Sequence, residues 1–105
     1  MTSPVYTRRL LAASQLAGAA TATVPAGRVW IVTDINGIAR SQVGPHAEVY
    51  AAVGNILFSY LESLDSDHPM MQWRGKQVLV AGEVLTVNGA GGTVDVTVIG
   101  YDLTA

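Results

Sequence analysis

Glycine and proline interrupt this chain at short intervals, and that punctuation limits what it can fold into more than any other feature. Turn-forming residues recur at Gly18, Pro25-Ala26-Gly27, Asn36-Gly37, Gly44-Pro45, Gly54-Asn55, Asp67-His68-Pro69, Arg74-Gly75, Ala81-Gly82 and Asn88 to Gly92. The segments between them are short and rich in Val, Ile, Thr, Tyr and Trp. Short β-prone segments with regular turn signals predict an all-β domain, a sandwich or a barrel. At 105 residues the chain is long enough for one core and too short for two comfortable ones.

Periodicity refines that expectation. In Thr93 to Tyr101, Val94, Val96 and Val98 fall on one face, while Thr93, Asp95 and Thr97 fall on the other. That alternation is a strand packed on one side and wet on the other. Arg28 to Ile35 differs: Val29, Ile31, Thr33 and Ile35 would share a face, and Trp30 and Val32 make the opposite face apolar too. A strand apolar on both sides is central and covered, or it covers a partner. Gln77 to Val80 and Glu83 to Val87 are similar in character. Asn55 to Leu64 alternates Ile56, Phe58, Tyr60 against Leu57, Ser59, Leu61 and reads as a strand, although Leu57, Leu61 and Leu64 also fit a helical stripe. Leu10 to Ala22 is the one place a helix could form, yet Thr21, Thr23 and their β-branched neighbours favour an extended approach to the next turn, so the segment reads as mixed. Ala90-Gly91-Gly92 reads as a hairpin connection between Val87 and Thr93.

An internal echo fits the same architecture. Ala26-Gly27-Arg28-Val29-Trp30-Ile31-Val32 reappears as Ala81-Gly82-Glu83-Val84-Leu85-Thr86-Val87. Each Ala-Gly pair supplies a tight turn, with glycine free to take a positive φ, that launches a strand. Two such units suit a two-part antiparallel fold with similar halves, as in a jelly roll.

Composition points toward contact with other protein. Half of the residues are hydrophobic and 13% are charged, against roughly 25% charged in ordinary soluble domains. So few charges leave little to cover a free surface. The net charge of −2, with only six Lys and Arg in scattered positions, argues against nucleic acid. The absence of cysteine removes disulfides, thiolate metal sites and a nucleophilic thiol. Thr7-Arg8-Arg9-Leu10-Leu11 and the Ala-rich stretch after it loosely resemble a twin-arginine export signal. Ser14, Gln15 and Gly18 break the apolar segment, and no run reaches membrane-spanning length, so the segment is expected to belong to the mature fold.

A search for catalytic constellations finds little. The two histidines, His46 and His68, lie beside prolines and read as loop residues far from any nucleophile elbow. The best metal candidate is Glu62, Asp65, Asp67 and His68 in LESLDSDHP, which lacks the glycine and closing glutamate of a calcium loop. A solvated acidic turn explains it as well. Trp73-Arg74-Gly75-Lys76 sets an indole beside two cations, the residue types found at interface hot spots and on sugar-binding platforms. Trp73 as a core anchor with Arg74 lying over it is the plain alternative.

The ordered set of motifs resembles a known group. It runs from TRRLL through Val24-Pro25-Ala26-Gly27 with Val29-Trp30-Ile31-Val32 to Gln72-Trp73-Arg74-Gly75-Lys76-Gln77-Val78-Leu79. Ala81-Gly82-Glu83-Val84-Leu85 and a final IGYDL complete it. This is similar to small β-sandwich virion proteins of tailed bacteriophages of actinobacterial hosts, in which proline more often stands at the place of Ala81. The resemblance spans Val5 to Leu103, with Ile38 to Met70 matching in character only. It implies an antiparallel, jelly-roll-like β-sandwich at residues 19–105 and an extended or partly helical N-terminal arm at residues 1–18. It implies a minor tail protein or a capsid decoration protein located in the virion. Its partners would be copies of itself, as a homo-oligomer such as a trimer, and other virion proteins, with no cofactor, catalysis, nucleic acid or membrane insertion. Candidate interface residues are Arg8, Arg9, Trp30, Trp73 and Arg74, the arm from Met1 to Leu16 reaching a neighbour. Two other readings stay open. One is a carbohydrate-binding module using Trp73, Trp30, Tyr50 or Tyr60; the other is a metal-dependent enzyme using His68, Asp65 and Asp67.

Overall fold

A computed structural model describes residues 7–105, and over that span the chain forms six strands and no helix. They are β1 (Arg8–Thr23), β2 (Arg28–Gln42), β3 (Glu48–Val53), β4 (Ile56–Glu62), β5 (Met70–Val80) and β6 (Val84–Thr104), and every named pairing is antiparallel. The last strand organises the rest. β1 runs along one edge of β6, from Thr23 opposite Val84 to Arg8 opposite Gly100. The other edge is shared end to end: β3 pairs residues 85–90 and β2 pairs residues 92–104. β4 extends the sheet beyond β3, and β5 extends it beyond β2. The result is an antiparallel, nearly barrel-shaped sheet, 50 Å long and 27 by 20 Å across.

Several turn signals therefore lie inside long strands. The NGAGG stretch is not a hairpin: it is a corner within β6, where the edge passes from β3 to β2. Gly91 and Gly92 have φ of 70° and 135°, and a Cβ on either would sit about 2 Å from the carbonyl oxygen of His46 or Ser41. Only glycine permits that approach. Gly37 is likewise mid-strand, and a Cβ there would press on Val49 from the other half of the sheet at 3.3 Å. Leu10 to Ala22 is strand and not helix, since pairing with β6 satisfies its backbone. Residues 8–18, assigned to an arm by the sequence, thus run along the sheet, with an irregularity at Ser14-Gln15. Residues 1–6 of the expected arm lie outside the described residues.

The inner faces of both halves share one core, including Val32, Ile35, Val49, Leu79, Leu85, Val87, Val94, Val96 and Val98. Val94, Val96 and Val98 fulfil the alternation read for Thr93 to Tyr101. In β2 the expected faces are partly exchanged. Thr33 is an extra residue between Val32 and Asp34 against β6, whereas against β5 the same step spans Gln77 to Arg74 and the added residue lies in β5. Ile35 joins Trp30 and Val32 inside while Val29 and Ile31 face out. β4 is a strand as expected, but its faces also shift. Phe58 is inserted opposite the Ala51–Ala52 step, which turns Ser59, Leu61 and Ser63 inward and leaves Ile56, Leu57 and Tyr60 exposed. Both copies of the Ala-Gly echo make turns that launch strands. Gly27 and Gly82 both take positive φ at turns that launch β2 and β6, and Val24 bridges the second turn through Glu83 O and Gly82 N.

Candidate assembly interface

The residues singled out by sequence do not form one surface. Trp30 is 7% exposed and belongs to the core, because the Thr33 bulge sets it on the inner face with Val32. This corrects its assignment to an interface. Its neighbour across the sheet, Asp102, accepts from Arg8 Nη1 at 3.0 Å and from Arg28 Nε at 2.8 Å. The Arg28 hydrogen bond, opposed in part by burial, holds the Asp102 carboxyl below the usual carboxylate range, and Arg8 adds to it. Arg8 is therefore a staple between the start of β1 and the end of β6. Arg9 is exposed on the outer side of β1, opposite Ile99.

Trp73 is half-buried on the inner face of β5, opposite Ile35. Its ring meets Phe58 of β4 edge-on, with centroids 5.4 Å apart and planes at 68°. It also lies over Gly75, where a Cβ would come within 2.6 Å of the indole. The pair closes the seam between β4 and β5, so the core-anchor reading of Trp73 describes its place. Arg74 is 79% exposed and pairs with its cross-strand neighbour Asp34 at 3.1 Å. Such a surface pair contributes about 0–1 kcal/mol.

The polar clusters are turned in on themselves. Asp65 Oδ1 accepts from the Asp67 N–H at 2.8 Å and contacts His68 Nδ1 at the same distance. The His68 contact chiefly lowers the Asp65 carboxyl from its ordinary value. Glu62 faces away toward His46, 3.6 Å from Nε2, while His46 Nδ1 meets the Ser63 carbonyl at 2.8 Å. The four proposed ligands are thus split between two places, and among the described residues no three such groups converge. On the outer face of β3 and β4, Tyr50 lies opposite Tyr60 and Glu48 opposite Glu62. The two rings are 5.1 Å apart, and Tyr50 donates to Glu48. Loss of surrounding water, then the Glu62 and Glu48 carboxylates, push the Tyr60 phenol up to about 12. An open groove beside Gln15, Arg40, Ser41 and Thr93 has its polar groups already engaged. Arg40 reaches Asp95 at 3.4 Å, and the Ser41 and Thr93 hydroxyls bond each other at 2.9 Å.

What remains uncommitted is apolar. Leu64 and Met70 flank the β4–β5 connection and are 75% and 76% exposed. With Pro69 and His68 they line a shallow hollow of about 360 Å³, and Met70 pairs across the sheet with exposed Ile38. Ile56 and Leu57 stand out from the β3–β4 hairpin, and Val43 from the loop before β3. Sequence reasoning missed this group because it read the DSDHP segment for its acids and histidine. The signal was the placement of Leu64 and Met70 on either side of that turn.

No protein-family model matches the chain, and a comparison with curated proteins finds no match. Among solved structures it is similar to the core of Drosophila NLP, whose crystal structure is described as giving insight into pentamer formation and histone binding. The TM-score is 0.60 at 12% identity, and the match covers 92% of this chain and 100% of that one. The likeness is one of fold. It supports the all-β, nearly barrel-shaped architecture and carries no chemistry across.

Proposed function

We propose that this chain is a non-enzymatic structural subunit of a tailed-phage virion, a minor tail protein, with capsid decoration as the alternative placement. In this reading it works by packing against copies of itself and neighbouring virion proteins, and its sheet is a jelly roll. The observation that carries the proposal is the apolar surface around Leu64, Pro69, Met70 and Ile38, left open in a chain whose charged groups mostly pair with one another. Contiguous exposed apolar surface marks contact with other macromolecules. A fold that resembles a pentamer-forming protein suits a repeated subunit, and the ordered motifs of the sequence point to the virion. Mass spectrometry of purified particles should find the chain among their proteins. Its absence from particles would reject the proposal.

One observation favours a second reading. Tyr50 and Tyr60 lie side by side on an outer face with Glu48 and Glu62 beside them, a platform on which a sugar ring could stack. If this is a carbohydrate module, a glycan array gives a hit that Tyr60→Ala removes while circular dichroism is unchanged. An array without hits disposes of it.

A further inference from the structure

We infer that the outer face of β5, β2 and β6 is a two-fold interface between two copies of this chain, packed with their strands running in opposite directions. This deepens the reading of the chain as an assembling subunit and rests on it.

The Thr33 bulge creates the face. It holds Trp30 and Val32 inside, so Val29 and Ile31 must point outward. Their cross-strand partners are apolar as well. One row is Val80, Val29 and Leu103, and the next is Val78, Ile31 and Tyr101. Val78 and Val80 are 44% and 52% exposed, and the other four are partly so. Outer faces of antiparallel sheets ordinarily alternate to polar residues at such positions. Two consecutive rows across three strands without a charge are what a covered face looks like.

The charges at the two ends of the rows select the occupant and its orientation. Toward the bulge, exposed Lys76 follows Arg74 on β5, and Arg9 lies opposite Ile99. Arg74 is neutralised by Asp34, leaving Lys76 and Arg9 as the net charge there. Beyond the other end comes the turn carrying Glu83, whose Oε1 accepts from the Val80 N–H at 2.7 Å. Arg28, near that end, is tied to Asp102 on the inner side. The face is therefore apolar in the middle, positive at one end and negative at the other. A two-fold axis along the strands would stack Lys76 near Lys76. An axis across the strands sets Lys76 of one copy near Glu83 of the other while the two apolar rows cover each other. A single sequence supplies both halves of that complement, as an isologous interface requires.

Sedimentation equilibrium of the full chain tests this, with near-ultraviolet circular dichroism as the check of fold. The wild-type chain should dimerise, and Val78→Glu or, at the other row, Val80→Lys should weaken the dimer at least about tenfold. Lys76→Glu and Glu83→Lys should each weaken it several-fold, and the double exchange should restore it. Leu64→Asp, on the other apolar surface, should leave it unchanged. A wild-type monomer, an oligomer that survives both Val78→Glu and Val80→Lys, or a double exchange without recovery would overturn the inference. None of these results removes the chain from purified particles, so failure here is separable from failure of the virion proposal.

Discussion

Asp102 accepts from two arginines, one from the start of β1 and one from the start of β2, and so ties three strands at one point. Its carboxyl is held below the value near 3.9 that it has in an unfolded chain. The sign follows: the depressed group stabilises the fold above that pH, and the contribution is lost as pH falls through the folded value. Asp102→Asn should therefore lower the urea midpoint at pH 7, and the gap to wild type should close below about pH 4. Ser59 makes the opposite prediction. Its hydroxyl is buried with no hydrogen-bond partner, so Ser59→Ala should raise stability by about 1 kcal/mol in urea denaturation. Trp73→Ala should cost about 2–3 kcal/mol, short of the full price of a wholly buried aromatic, because the ring is only half covered.

Among the elements, β6 carries the most. Gly91 and Gly92 let it turn the corner at which β2 ends and β3 takes over. Gly92→Ala puts a Cβ against the Ser41 oxygen at a positive φ, and it should cost about 3 kcal/mol or more or prevent folding. Gly27→Ala, at a positive φ but in open space, should cost only about 1–2 kcal/mol by the same assay. These two glycines also show what was legible beforehand. The Ala-Gly turns before β2 and β6 were readable because a turn between strands needs only local chemistry. The corner was read as a hairpin because a glycine needed for close approach looks the same in sequence as one needed for a turn. The Thr33 and Phe58 bulges were invisible for a related reason. An added residue reverses the faces beyond it, and only the partner strand reveals that it is extra. Hence the all-β class was legible, while the side on which Trp30 and Ile35 stand was not.

For the whole molecule, the proposed dimer face on β5, β2 and β6 is apolar in the middle and charged only at its ends, and association through it should behave accordingly. Dilution calorimetry should show a negative heat-capacity change on self-association, and ammonium sulfate should tighten it. Association that sodium chloride abolishes would instead mean that charges dominate. The apolar surface at Leu64 and Met70 lies at the opposite end of β5 and β2, past the Arg74–Asp34 pair and outside the two apolar rows, so the proposed dimer could engage a different neighbour there.

The position of β6 also sets an order of events during synthesis. Three other strands pair directly with it, yet it is made after all of them. Until β6 is made, β1 has no named partner, β2 has only β5 and β3 has only β4. Nascent chains must wait with open edges, and collapse into the sheet comes late and through distant contacts. A chain cut before β6 would leave β1 unpaired and β2 and β3 each with an open edge, which is the kind of exposed strand that recruits other chains into aggregates.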